Sequence, residues 1–136
     1  MVSNIIKIRI KLKTELVLLI FAVLFIPSAE GELGILPQHV ALMTQLVPGE
    51  MIVRRGGHDE FLAVGEGLVE VTGKRVAILT DMAIAADKID EAKAEEARQR
   101  AEARLKEKLS AQEVASVNAS LVRSLAQLQV RRRRRA

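Results

Sequence analysis

Several residue types are absent or scarce in this chain of 136 residues, and each absence removes a class of function. There is no cysteine, which excludes disulfides, thiolate nucleophiles and cysteine-based zinc sites. Tryptophan and tyrosine are absent and only three phenylalanines occur, so the chain lacks the aromatic side chains on which nucleic-acid modules stack bases. The two histidines, His39 and His58, do not have the spacing of a metal site. We therefore predict no metal site and no nucleic-acid partner.

Motifs that carry catalysis are missing as well. The sequence has no G-x-S-x-G element, no grouped Ser, His and Asp, and no G-x-x-x-x-G-K-[ST] phosphate loop. Gly65-Glu66-Gly67 is not a dinucleotide fingerprint, because the third glycine of that motif is missing. We predict no catalytic residue and no enzymatic activity for the isolated chain.

The net charge of +4 comes from one short segment, the run of five arginines at residues 131–135. Without those five, the chain has 16 basic residues against 17 acidic ones, so its body is close to neutral. Such a run can bind phosphate, an anionic lipid or an acidic protein surface. It can equally be a solvated terminus, and the sequence leaves both interpretations open.

Residues 1–29 also have two interpretations. Early basic residues, an unbroken apolar run over residues 16–26 and the small residues before Glu30 are typical of a secretory signal. However, the run is too short to span a bilayer, which takes about 20 helical residues, and Pro27 fits poorly near a cleavage site. Alternation of Ile or Leu with Lys or Arg over residues 6–13 instead predicts a strand, followed by a buried strand. The sequence favours strands, and the alternative of an exported small β-protein with a cleaved signal stays open.

Frequent turn residues from Pro27 onward indicate a series of short strands. Segments rich in Gly and Pro, including the predicted loops at 27–31 and 37–39, separate apolar segments of about five residues. This spacing predicts a small antiparallel β-sandwich or barrel whose turn glycines adopt positive φ. The predicted strands after Pro27 cover residues 40–47, 51–55, 60–64, 68–71 and 76–80.

The later part of the chain has the composition of helices. Residues 87–109 contain neither Gly nor Pro and are rich in Ala, Glu, Lys and Arg, which are strong helix formers. Ser110 and Glu113 form a capping box that begins a second helix. The short connection predicts an antiparallel hairpin. We expect the apolar side of the second helix to consist of Val114, Val117, Leu121, Leu125 and Leu128.

These patterns predict an α+β chain in three parts. An N-terminal antiparallel β-sandwich covers residues 1–84, of which residues 1–26 are atypical. A C-terminal antiparallel two-helix hairpin covers residues 87–130, and a basic tail covers residues 131–136.

The segment from Glu30 to His39, with the letters EGELGILPQH, resembles the E-G-E-L/F-G-I/V-L/Y-P-G-H loop of the epsilon subunit of F-type ATP synthases. Further segments resemble the same family in the same order, over residues 27–130. They are LMTQLVPG at 42–49, FLAVGEG at 61–67, VEV at 69–71, VAILTDMA at 76–83, IDEAKA at 89–94 and LVRSLAQLQV at 121–130.

The resemblance implies a non-catalytic central-stalk subunit that couples proton-driven rotation of the c-ring to ATP synthesis. It implies that the sandwich contacts the gamma subunit and the c-ring, with Glu32 and His39 as interface candidates. It also implies that the hairpin inhibits ATP hydrolysis near the alpha and beta subunits. The basic residues that would meet an acidic segment of the beta subunit are Arg123, Arg131, Arg132 and Arg133. The implied location is the cytoplasmic face of the bacterial inner membrane, as a peripheral protein that contacts the membrane only through the complex.

The chain departs from the family pattern at several positions. Gln38 stands where the family has Gly, Gln127 replaces a family Arg, and residues 15–26 lack the usual mixture of charged and apolar residues. In some bacterial members an I-D-x-x-R-A segment binds regulatory ATP, and it corresponds here to Ile89, Asp90, Lys93 and Ala94. Because Lys cannot make the bidentate phosphate contact of Arg, Lys93 argues against ATP binding, and we predict no cofactor.

Overall fold

The computed structural model describes residues 6–9, 23–36, 40–55, 57–72 and 76–135. Within these ranges the chain forms nine strands, one 3-10 helix and two α-helices. The strands are β1 (Ile6–Arg9), β2 (Val23–Ser28), β3 (Gly31–Ile35), β4 (Leu42–Leu46), β5 (Gly49–Arg55), β6 (His58–Val64), β7 (Gly67–Val71), β8 (Val76–Thr80) and β9 (Ala83–Ala85). The 3-10 helix (Ala86–Lys88), α1 (Glu91–Leu105) and α2 (Ala111–Arg133) follow.

The strands form one antiparallel sheet that folds over on itself. Its order is β1-β8-β7-β4-β2-β5-β6-β9, with β3 paired to β2 beside this path. Along β2, Leu24, Ile26 and Ser28 are buried and alternate with half-buried residues, because successive strand side chains point to opposite faces. Buried side chains from β2 through β8 meet in a single core cluster, so distant strands of the sheet face each other. The predicted antiparallel β-sandwich is thereby confirmed.

The described part of the N-terminus agrees with the strand interpretation. β1 pairs antiparallel with β8, with Ile6 opposite Thr80 and Arg9 opposite Ala77. The predictions for residues 10–22, including most of the apolar run, lie outside the described residues.

The loop predicted at residues 27–31 is wrong in extent. Pro27 and Ser28 complete β2, and Gly31 begins β3, so the turn between them has two residues. The Pro27 carbonyl accepts the Val47 N–H at 3.0 Å, and the Ser28 hydroxyl donates to the Gly31 carbonyl at 2.6 Å. Gly31 has a φ of 114°, a value that suits glycine, and this allows the tight turn.

Gly65 and Gly67 allow neighbouring atoms to approach the backbone closely. Their role differs from that predicted for turn glycines, which is to adopt positive φ. A Cβ at Gly67 would lie 1.7 Å from the carbonyl oxygen of Leu79, and one at Gly65 would lie 1.8 Å from Oδ1 of Asp81. Glycine in a strand often marks such a close contact. Position 67 therefore needs glycine for β7 to pair with β8 in this register.

Both helices begin at recognisable caps. The Asp90 carboxylate accepts the Lys93 N–H at 3.1 Å before α1. Before α2, the Ser110 hydroxyl accepts the Glu113 N–H at 3.2 Å, and the Glu113 carboxylate accepts the Ser110 N–H at 2.8 Å. The predicted capping box is confirmed, and α2 continues to Arg133, past the expected end at residue 130.

The predicted apolar side of α2 is only partly correct. Leu128 is buried, but Val114 and Leu125 are exposed. The prediction assumed one covered side, whereas the C-terminal part of α2 is covered by α1 and also by β5 and β6. The buried residues of α2 are Ser124, Ala126, Leu128 and Val130.

The hairpin packs on the outer face of one half of the sandwich. A second cluster of buried residues joins three parts of the chain: β6, the segment that precedes α1, and the helix α2. It consists of Ala63, Met82, Ile89, Ala126 and Val130. Phe61 and Ile84 pack against this cluster. Among the described helices, none has both the length and the apolarity needed to cross a membrane.

Candidate functional site

The c-ring candidates predicted from the sequence have different outcomes. Glu32 is exposed, but it lies on β3 opposite Pro27, so the loop expected for it is wrong. His39 lies outside the described residues. Leu36 and Val40, the described neighbours of that segment, are 58% and 77% exposed.

Three exposed apolar side chains lie together on the outer face of the other half of the sandwich, and we call them the outer apolar patch: Met43, Leu68 and Leu79. Leu68 pairs directly with Leu79 across β7 and β8, and with Gln45 of β4. Gln45 is two residues from Met43, so all three patch residues project from the same face. Large apolar side chains grouped in this way mark an interaction surface more often than isolated ones do.

A shallow depression adjoins the patch at Leu68. Gln45, Glu66 and Asp81 line it together with Leu68. The Asp81 carboxylate accepts a hydrogen bond from Arg123 of α2 at 3.0 Å. Arg123, predicted as a beta-subunit contact, therefore binds the sandwich in this conformation.

The four residues that resemble an ATP-binding segment have structural contacts. Ile89 is buried in the cluster between hairpin and sandwich, and Ala94 is buried on α1. Asp90 caps α1 through the Lys93 N–H. The segment thus fixes the start of the hairpin.

All five arginines of residues 131–135 contact other parts of the chain, and we call them the C-terminal arginine cluster. Arg131 donates to the Ala86 carbonyl at 3.2 Å. Arg132 donates to Glu91 at 3.0 Å and to Glu95 at 3.2 Å. Residues 131–133 are helical, and the side chains of Arg132, Arg133 and Arg135 are 55%, 60% and 62% exposed to solvent.

The remaining cluster contacts converge on Glu50 and Glu91. Arg134 donates to both carboxylate oxygens of Glu50, at 2.9 and 2.7 Å, and its guanidinium lies 3.7 Å from the centre of the Phe61 ring. Arg133 lies 3.6 Å from the same carboxylate, and Arg135 donates to Glu91. The Glu50 side chain is only 11% exposed, so the Arg134–Glu50 ion pair is the most shielded ion pair of the cluster.

The electrostatic effects follow from these contacts. Hydrogen bonds from Arg132 and Arg135 hold the pKa of Glu91 below its ordinary value of 4.5. The hydrogen bond to Glu50 raises the pKa of Arg134. Glu95 also has a lowered pKa, chiefly through Arg98 on its own helix.

No pattern in the sequence indicates Glu50 or Phe61 as partners of the arginine run, because Arg134 lies 84 positions from Glu50 in the chain. No short-range pattern joins residues at that separation. In the described part of the chain, no group of three or more Asp, Glu or His side chains is placed to hold a metal ion.

Comparisons with known proteins cover most of the chain. Residues 21–86 match the family model of the ATP synthase delta/epsilon chain β-sandwich domain, and residues 87–131 match that of the ATP synthase delta/epsilon chain long α-helix domain. The chain is 41% identical over 106 residues to the ATP synthase epsilon chain of Ruthia magnifica subsp. Calyptogena magnifica. This alignment covers 78% of the present chain and 77% of the relative. It is 42% identical over 113 residues to the ATP synthase epsilon chain of Alkalilimnicola ehrlichii, and this alignment covers 81% of each chain.

A solved structure agrees with these matches. A chain in the Euglena gracilis mitochondrial ATP synthase structure, which contains OSCP, F1 and the c-ring in rotational state 1, superposes with a TM-score of 0.67 at 27% identity. The superposition covers 80% of this chain and 68% of that one. Residues 1–20 precede the range of both family models.

Proposed function

Because this chain belongs to the ATP synthase delta/epsilon family, we propose that it is a non-catalytic subunit of a rotary ATP synthase, docking through its sandwich and restraining ATP hydrolysis through its hairpin. The observation that carries the docking role is the outer apolar patch of Met43, Leu68 and Leu79. The family matches favour this function over the exported small β-protein.

The patch is the surface that we assign to the gamma subunit. The hairpin covers the outer face of β5 and β6, whereas the outer face of β4, β7 and β8 carries the exposed apolar residues. Burial of that second face against gamma would remove apolar area from water, which drives association.

The c-ring is assigned to a different part of the sandwich. Glu32 supplies an exposed carboxylate on β3, and His39 follows the exposed Leu36 in sequence. These two residues remain candidates for the c-ring contact through which rotation couples to ATP synthesis.

The hairpin is suited to reversible docking. Its buried contact with the sandwich is limited to one cluster of five residues, in which Ala63 and Ala126 contribute little apolar area, and polar contacts such as Arg123–Asp81 surround it. A released hairpin would free Arg123 and residues 131–133 to bind an acidic segment of the beta subunit, near the alpha–beta catalytic sites. In that position it would inhibit hydrolysis. The subunit would act on the cytoplasmic face of a bacterial inner membrane, as a peripheral protein held by the complex.

Deletion of residues 87–136 tests this division of roles. We expect the shortened chain to join an epsilon-free ATP synthase complex and the hydrolysis rate to rise relative to the complex with the full chain. Equal hydrolysis rates would contradict the inhibitory role of the hairpin. Failure of the shortened chain to assemble, while the full chain assembles, would contradict docking through the sandwich.

A further inference from the structure

The methionines in the described part of the chain differ sharply in exposure. Met43, on β4, is 67% exposed, whereas Met51 is 0% exposed and Met82 is 6% exposed. The sulfur of Met82 also accepts a hydrogen bond from Nε2 of Gln127 at 3.1 Å. A small reagent in solution therefore reaches the Met43 side chain in the native fold, and it reaches Met51 and Met82 only when the fold opens.

Met43 is also a member of the outer apolar patch. Its strand pairing places it opposite Glu70 of β7. Leu68 of the same strand pairs with Leu79 of β8, so the three patch residues project from one face of the sheet. Met43 is the most exposed of the three and the one that carries sulfur. A chemical change at this sulfur therefore changes the surface that we assign to the gamma subunit.

A thioether reacts directly with hydrogen peroxide. The sulfur lone pair attacks one peroxide oxygen, an S–O bond forms and the O–O bond breaks. The proton of the transferred hydroxyl joins the departing hydroxide to give water, so the sulfur is oxidised by two electrons and the peroxide is reduced by two. The product is methionine sulfoxide, which is polar and which methionine sulfoxide reductases convert back to methionine.

We propose that Met43 is an oxidation site at which hydrogen peroxide switches off binding of the outer apolar patch to the gamma subunit. The switch rests on the proposed function, which assigns the patch to gamma, whereas the selectivity of the oxidation does not. A sulfoxide oxygen that is buried against an apolar partner without a hydrogen bond opposes association, and the apolar area available for burial also falls. Because gamma would cover Met43 in the complex, the oxidation acts on the chain before it assembles.

Peroxide treatment of the isolated full chain tests the selectivity. Cleavage after Glu50 separates the peptide of Met43 from that of Met51, and mass spectrometry of the peptides gives the oxidation rate of each methionine. In the folded chain, Met43 should gain one oxygen at least about tenfold faster than Met51 and Met82, and the three rates should become similar in urea. Equal rates in the folded chain would overturn Met43 as a selective site.

Titration calorimetry with a gamma-containing complex that lacks its own epsilon subunit tests the switch. The chain alone is treated with peroxide, catalase removes the excess, and the affinity is compared with that of the untreated chain. We expect a loss of about tenfold or more, and recovery after treatment of the chain with methionine sulfoxide reductases. The matched control is Met43→Leu, which keeps the other methionines but has no thioether in the patch. Peroxide should leave the affinity of this variant at its own untreated value.

The outcomes distinguish failure of the switch from failure of the proposed function. If the untreated chain does not bind the complex, the proposed function fails and the switch fails with it, while the oxidation rates of the isolated chain stand. If the untreated chain binds and oxidation of Met43 leaves its affinity unchanged, only the switch is overturned. An equal loss of affinity in Met43→Leu would also overturn the switch, because the effect would then come from another residue.

Discussion

Replacing two residues of the outer apolar patch tests whether this surface binds the gamma subunit. Met43 is 67% exposed and Leu68 is 50% exposed, so much of each side chain is available for burial by a partner. Complete burial of such a side chain is worth about 1.5–3 kcal/mol, and the exposed fractions scale this to about 1–2 kcal/mol for Met43 and about 1 kcal/mol for Leu68. A Met43→Ser/Leu68→Ser chain should therefore bind about 50-fold more weakly.

The assay is titration calorimetry with a gamma-containing complex that lacks its own epsilon subunit. The matched control is Val114→Ser/Leu125→Ser, which removes two exposed apolar side chains of α2, 36% and 45% exposed, away from the patch. Both variants should unfold at the same denaturant concentration as the parent, because the altered side chains lie on the surface. If the patch variant binds as tightly as the control, the assignment of this face to gamma is incorrect.

Three further predictions concern the isolated chain. Gly67→Ala should lower the free energy of unfolding by about 3 kcal/mol or more in urea titrations, because the Cβ of the new alanine would meet the backbone oxygen of Leu79. A change of less than about 1 kcal/mol would contradict the close approach of these two strands. Asp90→Ala should cost about 1 kcal/mol through loss of the α1 cap, whereas Asp90→Asn should cost less, and equal losses would argue against capping. The lowered pKa values of Glu91 and Glu95 mean that their contribution to stability is present above pH 4.5 and is lost as pH falls through the lower folded-state values. The stability difference between the parent and Glu91→Gln should therefore vanish well below pH 4.5, and a constant difference across this range would contradict the ion pairs.

The parts of the fold set by local chemistry were predictable from the sequence. The capping box of Ser110 and Glu113 acts within one helical turn, so its two residue types and their spacing were enough. The strand at Val76–Thr80 was predicted with its observed bounds because turn residues flank a short apolar segment on both sides.

The features that were missed depend on contacts between distant residues. β3 lies where the sequence predicts part of a loop, because its pairing with β2 depends on a two-residue turn closed by the Ser28 hydroxyl. β9 was not predicted, since it is three residues long and exists through its pairing with β6. The burial of α2 was misjudged because two surfaces cover its C-terminal part, and a single apolar stripe describes only one.

The arginine run shows the same limit for the candidate site. Its charge was evident in the sequence, and so was its capacity to bind acidic groups. The acceptors Glu50 and Glu91 were not, because they lie on β5 and α1, far from the run in sequence. The register of β5 and β6 places Glu50 opposite Ala63, two residues from Phe61 on the same face of the sheet.

The most direct test of the central claim is assembly with measured hydrolysis. Purified full-length chain is mixed with an epsilon-free bacterial ATP synthase complex of alpha, beta and gamma subunits, and co-migration and ATP hydrolysis are followed together. The account predicts that the chain co-migrates stoichiometrically with the complex and that the hydrolysis rate falls as it binds. A chain that stays unbound and leaves the rate unchanged would contradict its role as a coupling and inhibitory subunit.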